Sequence, residues 1–254
     1  GPTGSGKTTA IYASIGHLLE KHQNTVAISS VEDPVEQNLM WVNQAQLNPP
    51  QDFTYVTALR SLMRQDPEII MIGEIRDIDT ATIAVTAGMT GHLVLSTIHS
   101  GTTSGVFARL INMNIEPFLL ASSVIGILGV RLVRLNCTQC ISAYTPDDTS
   151  LHHLRQNEGD EMVDDALRDQ IFYCGWGCDT CKKTGFEGRG MVTELMGVDE
   201  SVRETVMNKR PTREIQEAAV TNGMATLWDG GLRRVTAGET TIEEVLMKVA
   251  AEML

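Results

Sequence analysis

The chain has 254 residues, of which 42% are hydrophobic, and its formal net charge is −12. This length can bury one substantial core and a smaller unit, and the apolar content argues against a disordered chain. An acidic chain without clustered Lys and Arg lacks the usual features of nucleic-acid binding, so no nucleic-acid partner is expected. The most apolar stretch, residues 117–130, is too short to span a bilayer and predicts a buried core helix.

The first eight residues fit the phosphate-binding pattern G-x-x-x-x-G-K-[ST]. Glycines can adopt backbone angles that turn several N–H groups toward one anion. A helix predicted over residues 8–22 points the positive end of its dipole at the phosphates. Lys7 can reach the β- and γ-phosphates of ATP, and the Thr8 hydroxyl can ligate Mg²⁺. The alternative is a glycine-rich turn that fits the pattern by chance. The predicted nucleotide-binding residues are Gly1, Pro2, Thr3, Gly4, Ser5, Gly6, Lys7, Thr8 and Thr9.

Polar side chains follow three short apolar runs that predict buried strands. Glu32, Glu74 and His99 each come just after such a run. Strands alternate with predicted helices, which favours a mainly parallel sheet with helices on both faces. The carboxyl ends of parallel strands form the ligand-binding edge of such a sheet. The alternatives are a solvated acidic turn for Glu32 and a rim histidine for His99. The three predicted strands span residues 25–30, 68–72 and 92–97.

The remaining pattern predicts further helices and loops. Residues 43–52 read as a loop, and residues 187–190 read as a turn. The chain reads as helical from residue 193 to its end, with breaks at Pro211, at 222–223, at the pair Gly230 and Gly231, and at Gly238. Thr212 and Thr241 fit helix starts. The other predicted helices span residues 55–64, 80–89, 103–113 and 116–135.

Four of the five cysteines form two C-x-x-C pairs, Cys137 with Cys140 and Cys178 with Cys181. Four thiolates predict a structural, tetrahedral Zn²⁺ site without an open coordination position. The gap between the pairs exceeds the usual spacing, so the polar residues 149–170 are predicted to loop out as an insertion. Cys174 does not fit the spacing and is interpreted as a spare thiol. The alternative is a set of reduced cysteines without a metal.

Taken in order, these motifs resemble those of the secretion ATPase superfamily. They resemble more closely the type II secretion and type IV pilus assembly ATPases (GspE/PilB type), over essentially the whole chain. The tetracysteine segment, with 184–186 and 188–189 after it, is similar to the assembly branch, and retraction motors normally lack it. The four boxes that carry the resemblance are Walker A at 1–8, the Asp box at 31–36, Walker B at 64–77 and the His box at 90–99.

The resemblance implies an α/β fold with three parts. These are a RecA-like P-loop core with a mainly parallel sheet over 1–135, a zinc module over 136–190 and a helical region over 191–254. It also implies a homohexameric ATPase that uses ATP, Mg²⁺ and Zn²⁺. Such a motor powers pilin or pseudopilin assembly through an inner-membrane platform protein and other secretion or pilus components. It would be cytoplasmic and peripheral at the bacterial inner membrane.

The resemblance also implies roles for single residues. Glu32 would be the general base, Glu74 would support Mg²⁺, and His99 would sense the γ-phosphate, whereas His92 would be structural. Gly73, which replaces the Asp usual before a Walker B Glu, would be the family's own variation. From the residues alone, both glutamates are only acids near phosphate.

Two departures from the family pattern also enter the interpretation. The strand before the loop and an N-terminal domain that supplies arginines to the site are expected outside this chain. The chain alone is therefore predicted to hydrolyse ATP slowly or not at all. Val130 stands where the family usually has Gln. Three other functions remain open: a DNA-transport ATPase, a retraction motor and a nucleotide-dependent scaffold without enzymatic activity.

Overall fold

The computed structural model describes residues 1–146 and 171–249. The insertion predicted over 149–170 lies outside these residues. The chain divides into two compact units. One contains Gly1–Ile127 and Met196–Gly223, and the other contains the described parts of Leu128–Leu195 and Met224–Leu254. The division into three domains at residues 135 and 190 stays a prediction.

The described residues form α-helices and β-strands in the following order. The helices are α1 (Lys7–Lys21), α2 (Tyr55–Leu62), α3 (Ile78–Met89), α4 (Thr103–Asn112), α5 (Pro117–Ser123), α6 (Glu200–Met207), α7 (Thr212–Thr221), α8 (Leu227–Thr236) and α9 (Ile242–Lys248), with a 3-10 turn at Pro49–Gln51. The strands are β1 (Ile28–Glu32), β2 (Val42–Gln46), β3 (Ile69–Ile72), β4 (Leu93–Ser96), β5 (Gly126–Asn136), β6 (Ile141–Tyr144), β7 (Phe172–Gly175) and β8 (Phe186–Gly197).

The first unit is built on a four-stranded sheet in the order β2-β1-β3-β4. All three pairings in it are parallel. Strands β1 and β3 are buried along their whole length, as expected for parallel strands covered on both faces. The α/β class and the parallel sheet predicted from the sequence are confirmed, and every strand of this sheet directs its carboxyl end to the same edge.

Helices cover both faces of this sheet because side chains alternate along each strand. On one face, Met71 of β3 packs with Ile15 and Leu19 of α1. On the other face, Ile70 of β3 lies in one cluster with Leu59 of α2. Helix α3 belongs to this second cluster through Ala84 and Ala87. Helix α1, which follows the glycine-rich loop directly, therefore packs on one face of the sheet.

The second unit contains most of the pair β5-β8, the pair β6-β7 and the helices α8 and α9. Its core includes Val133 of β5, Val192 of β8 and Trp228 of α8. The buried carboxylate of Glu244 accepts hydrogen bonds from the Arg134 guanidinium at 2.6 and 2.9 Å. It also accepts one from the backbone N–H of Arg134 at 3.0 Å. This ion pair ties α9 to β5.

Several predicted elements differ from the structure. The helix predicted over 116–135 is wrong after Ser123, because β5 begins at Gly126. A long apolar run fits a buried helix and a buried strand equally well, and only its β-branched Val and Ile residues favoured the strand. Residues 187–190, predicted as a turn, and residues 193–197, predicted as helical, both lie in β8. Strand β2 replaces part of the loop predicted over 43–52.

The predicted break at Gly230 and Gly231 is also wrong, since both glycines lie inside α8. A Cβ built on Gly231 would lie 2.6 Å from Cγ1 of Val245 in α9. The glycine therefore allows two helices to approach closely and does not end one. The predicted helix starts are confirmed, since α7 begins at Thr212 and Thr241 caps α9. Within 1–146 and 171–249, the helices are all too short or too polar to cross a membrane.

Candidate functional site

The glycine-rich loop leads directly into α1. Gly4 and Gly6 have φ angles of 74° and 95°, in the left-handed region that favours glycine. The Lys7 ammonium donates hydrogen bonds to the carbonyl oxygens of Gly1 and Pro2, at 2.9 and 2.8 Å. The lysine side chain therefore folds back across the loop and brings its positive charge to the mouth of the loop.

The residues of this loop fit a bound phosphate chain. Ser5 is 4% exposed, and its hydroxyl has no hydrogen-bond partner among the described residues. A Cβ built on Gly4 would have no atom within 4 Å, so the loop borders open space there. The N-terminus of α1 adds backbone N–H donors and the positive end of its dipole. Thr3 and Thr9 are exposed beside the loop.

Thr8 lies in the first turn of α1 and faces an acidic side chain. Its hydroxyl donates to Glu36 Oε1 at 3.3 Å. Hydroxyl and carboxylate oxygens are ligands that Mg²⁺ accepts. The contact identifies Glu36, which the sequence analysis did not single out, as an acid next to the predicted Mg²⁺ ligand.

Lys7, Glu74 and His99 come together at the carboxyl edge of the sheet. Nε2 of His99 lies 3.6 Å from Oε2 of Glu74, and its Nδ1 lies 3.5 Å from the Lys7 ammonium. Arg76 pairs with the other Glu74 oxygen. Arg109 of α4 donates to the His99 carbonyl at 2.8 Å and so fixes the loop after β4. Residues from the glycine-rich loop and from the segments that follow β3 and β4 thus form one polar array.

The contacts of His99 define its protonation state. Burial, followed by the positive charge of Lys7, lowers the pKa of His99 below its ordinary value. The ring is therefore neutral at pH 7. An ammonium can only donate, so Nδ1 is the acceptor and the proton is on Nε2, which faces the Glu74 carboxylate. His99 thus lies between the loop lysine and the acid after β3, with one ring nitrogen facing each of them.

Glu32 is 2% exposed and lies at the end of β1. Its Oε1 accepts from the Ser30 hydroxyl at 2.6 Å and from the Gln44 amide at 2.9 Å. The Tyr12 hydroxyl donates to Oε2. Burial and then this hydrogen bond raise the pKa of Tyr12 to about 12. Three neutral donors therefore hold a buried carboxylate next to the edge.

Gly73 separates β3 from Glu74 at a place where the backbones lie close together. A Cβ on this residue would lie 2.9 Å from the Tyr55 hydroxyl and 3.3 Å from the Glu32 Cα. Only a glycine leaves Tyr55 and β1 in place, which gives a physical reason for its presence where an Asp is usual. Burial, followed by the charge of Glu74, raises the pKa of Tyr55 to about 12, so its hydroxyl stays protonated.

The residues that donate hydrogen bonds to Glu32 were not predicted, although the sequence contains signals for two of them. Tyr12 follows Thr8 by four positions, which places both on one face of α1. Ser30 precedes Glu32 by two positions and shares its face of β1. Gln44 could not be found, because its strand read as a loop. His92 lies outside the array, with Nδ1 3.1 Å from the carbonyl oxygen of Ala87 near the end of α3.

The four paired cysteines converge in the second unit. Cys137 and Cys140 lie between β5 and β6, and Cys178 and Cys181 lie between β7 and β8. All four Sγ atoms lie within 4.8 Å of one another. Three of the sulfur pairs are 3.7 to 3.9 Å apart. Cys174 lies in β7 and does not belong to this group.

These distances fit a tetrahedral zinc site. Zinc–sulfur bonds of about 2.3 Å place tetrahedral sulfurs roughly 3.8 Å apart. Backbone N–H groups of Cys178 and Gly185 donate to Cys181 Sγ at 3.2 and 3.3 Å, and that of Gly177 donates to Cys140 Sγ at 3.3 Å. The Cys178 N–H is the main cause that lowers the pKa of Cys181 to about 6. Such donors stabilise the thiolates that zinc requires.

Comparison with known proteins agrees with these motifs. The model of the family described as type II/IV secretion system protein matches residues 1–247. The type II secretion system protein HxcR of Pseudomonas aeruginosa is 42% identical over 246 residues, which are 97% of this chain and 46% of that protein. The type II secretion system ATPase E of Vibrio cholerae is 40% identical over 253 residues, 99% of this chain and 48% of that protein. The type IV pilus assembly ATPase PilB of Thermus thermophilus is 40% identical over 248 residues, 98% of this chain and 27% of that protein.

Two solved structures share the fold. The pilus retraction motor PilT with bound ADP has a TM-score of 0.65 at 23% identity, covering 97% of this chain and 59% of that one. The ATPase DotB of Legionella pneumophila has a TM-score of 0.65 at 18% identity, covering 97% and 57%. The chain spans less than half the length of the three relatives described above. A family match over nearly all residues, on a fold shared with these ATPases, means that the chain belongs to the type II/IV secretion system protein family.

Proposed function

We propose that this chain is the ATP-hydrolysing part of a motor that powers pilin or pseudopilin assembly, in type IV pilus biogenesis or type II secretion. The observation that carries the proposal is the contact of Lys7 and Glu74 with His99 beside an open glycine-rich loop. A lysine that reaches phosphate, next to an acid at a strand end, is what phosphoryl transfer to water requires.

In this proposal, the loop residues 1–9 bind the phosphates of ATP, and Lys7 neutralises charge on the β- and γ-phosphates. Thr8 ligates Mg²⁺, which Glu74 supports. Glu32 is the general base that activates the attacking water. His99 senses the γ-phosphate from its position between Lys7 and Glu74. The division of labour between the two glutamates follows the family resemblance.

We propose that Zn²⁺ is bound by Cys137, Cys140, Cys178 and Cys181. Four thiolates fill its tetrahedral coordination, so the metal has a structural role and leaves no position for a substrate. The sulfur distances and the backbone N–H donors support this assignment. A site of this kind stabilises the short loops that carry the ligands.

The assembled machine extends beyond this chain. We propose a homohexamer, peripheral at the cytoplasmic side of the bacterial inner membrane, that acts with a platform protein and other secretion or pilus components. The names of the relatives at about 40% identity support a secretion or pilus system, and the hexamer, the membrane location and the platform partner follow the family resemblance. The acidic net charge of −12 supports partners other than nucleic acid.

A retraction motor or a DNA-transport ATPase of the same family is the alternative. The fold shared with PilT is the observation that favours the first. The tetracysteine cluster favours assembly, since the resemblance associates it with that branch. A protein without zinc would favour a retraction motor, and stimulation of ATPase activity by DNA would favour a DNA-transport ATPase.

The proposal is tested by ATP turnover of the longest protein that contains this chain, with Glu32→Gln as the variant. We expect the turnover of the variant to be lower than that of the wild type by about a hundredfold or more, since general bases contribute factors of roughly 10² to 10⁴. Equal turnover in both would contradict the proposal and favour a scaffold. The chain alone is expected to turn over slowly, and a rate equal to that of the longer protein would contradict that part.

A further inference from the structure

The Glu32 carboxylate is held by donors from three different elements. Ser30 belongs to β1 itself, Gln44 comes from β2, and Tyr12 comes from α1. The first two both donate to Oε1, whereas Tyr12 donates to Oε2. The carboxylate is therefore fixed in orientation, with its two oxygens in different surroundings.

The two carboxylate oxygens of Glu32 differ in how many further hydrogen bonds they can accept. A carboxylate offers about four lone-pair sites, two on each oxygen. Oε1 already accepts two hydrogen bonds, at 2.6 and 2.9 Å, and has none to spare. Oε2 accepts one, from Tyr12, and retains a free lone pair among the described contacts. A water that gives its proton to Glu32 must therefore give it to Oε2.

Tyr12 belongs to the same rigid helix as the phosphate-binding residues. It follows Thr8 by four positions, so it lies about 6 Å further along the same face of α1. The start of α1 binds phosphate and Mg²⁺ in the proposed function, and the next turn holds the carboxylate. One helix can thus set the spacing between the phosphate and the base.

We propose that Tyr12 is a positioning residue, which orients Glu32 so that Oε2 accepts the proton of the attacking water. This inference rests on the proposed function, in which Glu32 is the general base. The water oxygen forms a bond to the γ-phosphorus, and the bond to the β,γ-bridging oxygen breaks, its electron pair leaving with ADP. The water proton goes to Oε2. Tyr12 does not take the proton itself, because its own hydroxyl stays protonated well above pH 7.

The test is a double-mutant cycle of Tyr12→Phe and Glu32→Gln in the longest protein that contains this chain. We expect Tyr12→Phe to lower kcat for ATP about tenfold or more, since misplaced catalytic groups cost factors of up to roughly 10². KM for ATP stays unchanged, because the loop is intact. The double variant is no slower than Glu32→Gln alone, since Tyr12 acts only through that carboxylate.

Tyr173→Phe is the matched control, since it removes a phenol hydroxyl from β7, a strand of the second unit. It should leave kcat and KM unchanged. Losses that multiply fully in the double variant, a raised KM or an unchanged kcat in Tyr12→Phe would overturn the inference. These outcomes differ from failure of the proposed function, in which Glu32→Gln itself leaves turnover unchanged.

Discussion

The two candidate sites of this chain reach their geometry in opposite ways. The cysteine cluster draws four identical ligands from two short loops, and its sulfurs already lie at metal-binding distances. The nucleotide edge combines a loop and the ends of three strands, and its carboxylates contact protein donors instead. Uniform, closely spaced ligands can be identified from spacing alone. An edge built by topology requires the fold before the role of each residue can be assigned.

The largest effect that we predict is a loss of stability when the cysteine cluster, and not the nucleotide edge, is changed. Cys181→Ser should abolish zinc binding and lower the free energy of unfolding by roughly 5 kcal/mol or more, since structural zinc contributes strongly to folding. Metal analysis and denaturant unfolding measure both quantities. Cys174→Ser, outside the cluster, is the control and should retain one zinc per chain. Full zinc content in Cys181→Ser would contradict the four-cysteine assignment.

Lys7→Ala should affect only the nucleotide edge. Hydrogen bonds to a charged group contribute about 1.5–3 kcal/mol, so ATP affinity should fall roughly 10- to 100-fold. Zinc content should not change. Isothermal titration calorimetry with ATP and Mg²⁺ measures the affinity, with Lys21→Ala at the other end of α1 as the control. Equal affinity in Lys7→Ala and wild type would remove the loop from the site.

Gly73→Ala tests how tightly the edge is packed. The added Cβ would meet the Tyr55 hydroxyl at 2.9 Å, so Tyr55 or β1 must shift. We expect a loss of about 1–3 kcal/mol in the free energy of unfolding. Gly16→Ala is the matched control, because a Cβ there meets nothing within 4 Å. It lies inside α1 and should stabilise by about 0.5–1 kcal/mol. Similar effects of the two changes would show that the packing at Gly73 is unimportant.

Glu244→Gln tests the contrast between a buried acid with a cationic partner and one with neutral donors. Burial alone would raise the pKa of Glu244, but the hydrogen bonds and charge of Arg134 lower it below its ordinary value. Its stabilising contribution is therefore complete above the unfolded pKa of about 4.3 and is lost as the pH falls through the lower folded value.

We expect Glu244→Gln to lower the free energy of unfolding by about 1–3 kcal/mol at pH 7, because the Arg134 interaction weakens. The difference from wild type should shrink as the pH falls below about 4.3. Urea unfolding at several pH values measures this difference, and Glu217→Gln, at an exposed side chain of α7, is a control. A difference that does not depend on pH would show that the charge of Glu244 does not matter.

The sequence predicted local features well and longer-range ones less well. The phosphate loop and the cysteine pairs are short patterns in which each residue type has a chemical reason. The ends of β1, β3 and β4 were also identified, because apolar runs followed by polar residues are typical of buried parallel strands. The region after Ser123 was predicted wrongly, since a long apolar run fits a buried helix and a buried strand alike. The contact of Gln44 with Glu32 depends on β2 pairing with β1, which no local pattern encodes.

The most direct test is to measure zinc content and ATP turnover together in the longest protein that contains this chain, as wild type, Lys7→Ala and Cys181→Ser. We predict one zinc per chain and measurable turnover in the wild type. We also predict turnover lost but zinc retained in Lys7→Ala, and zinc lost in Cys181→Ser. Turnover that persists in Lys7→Ala, or a wild type that binds no zinc, would contradict the account of two chemically distinct sites.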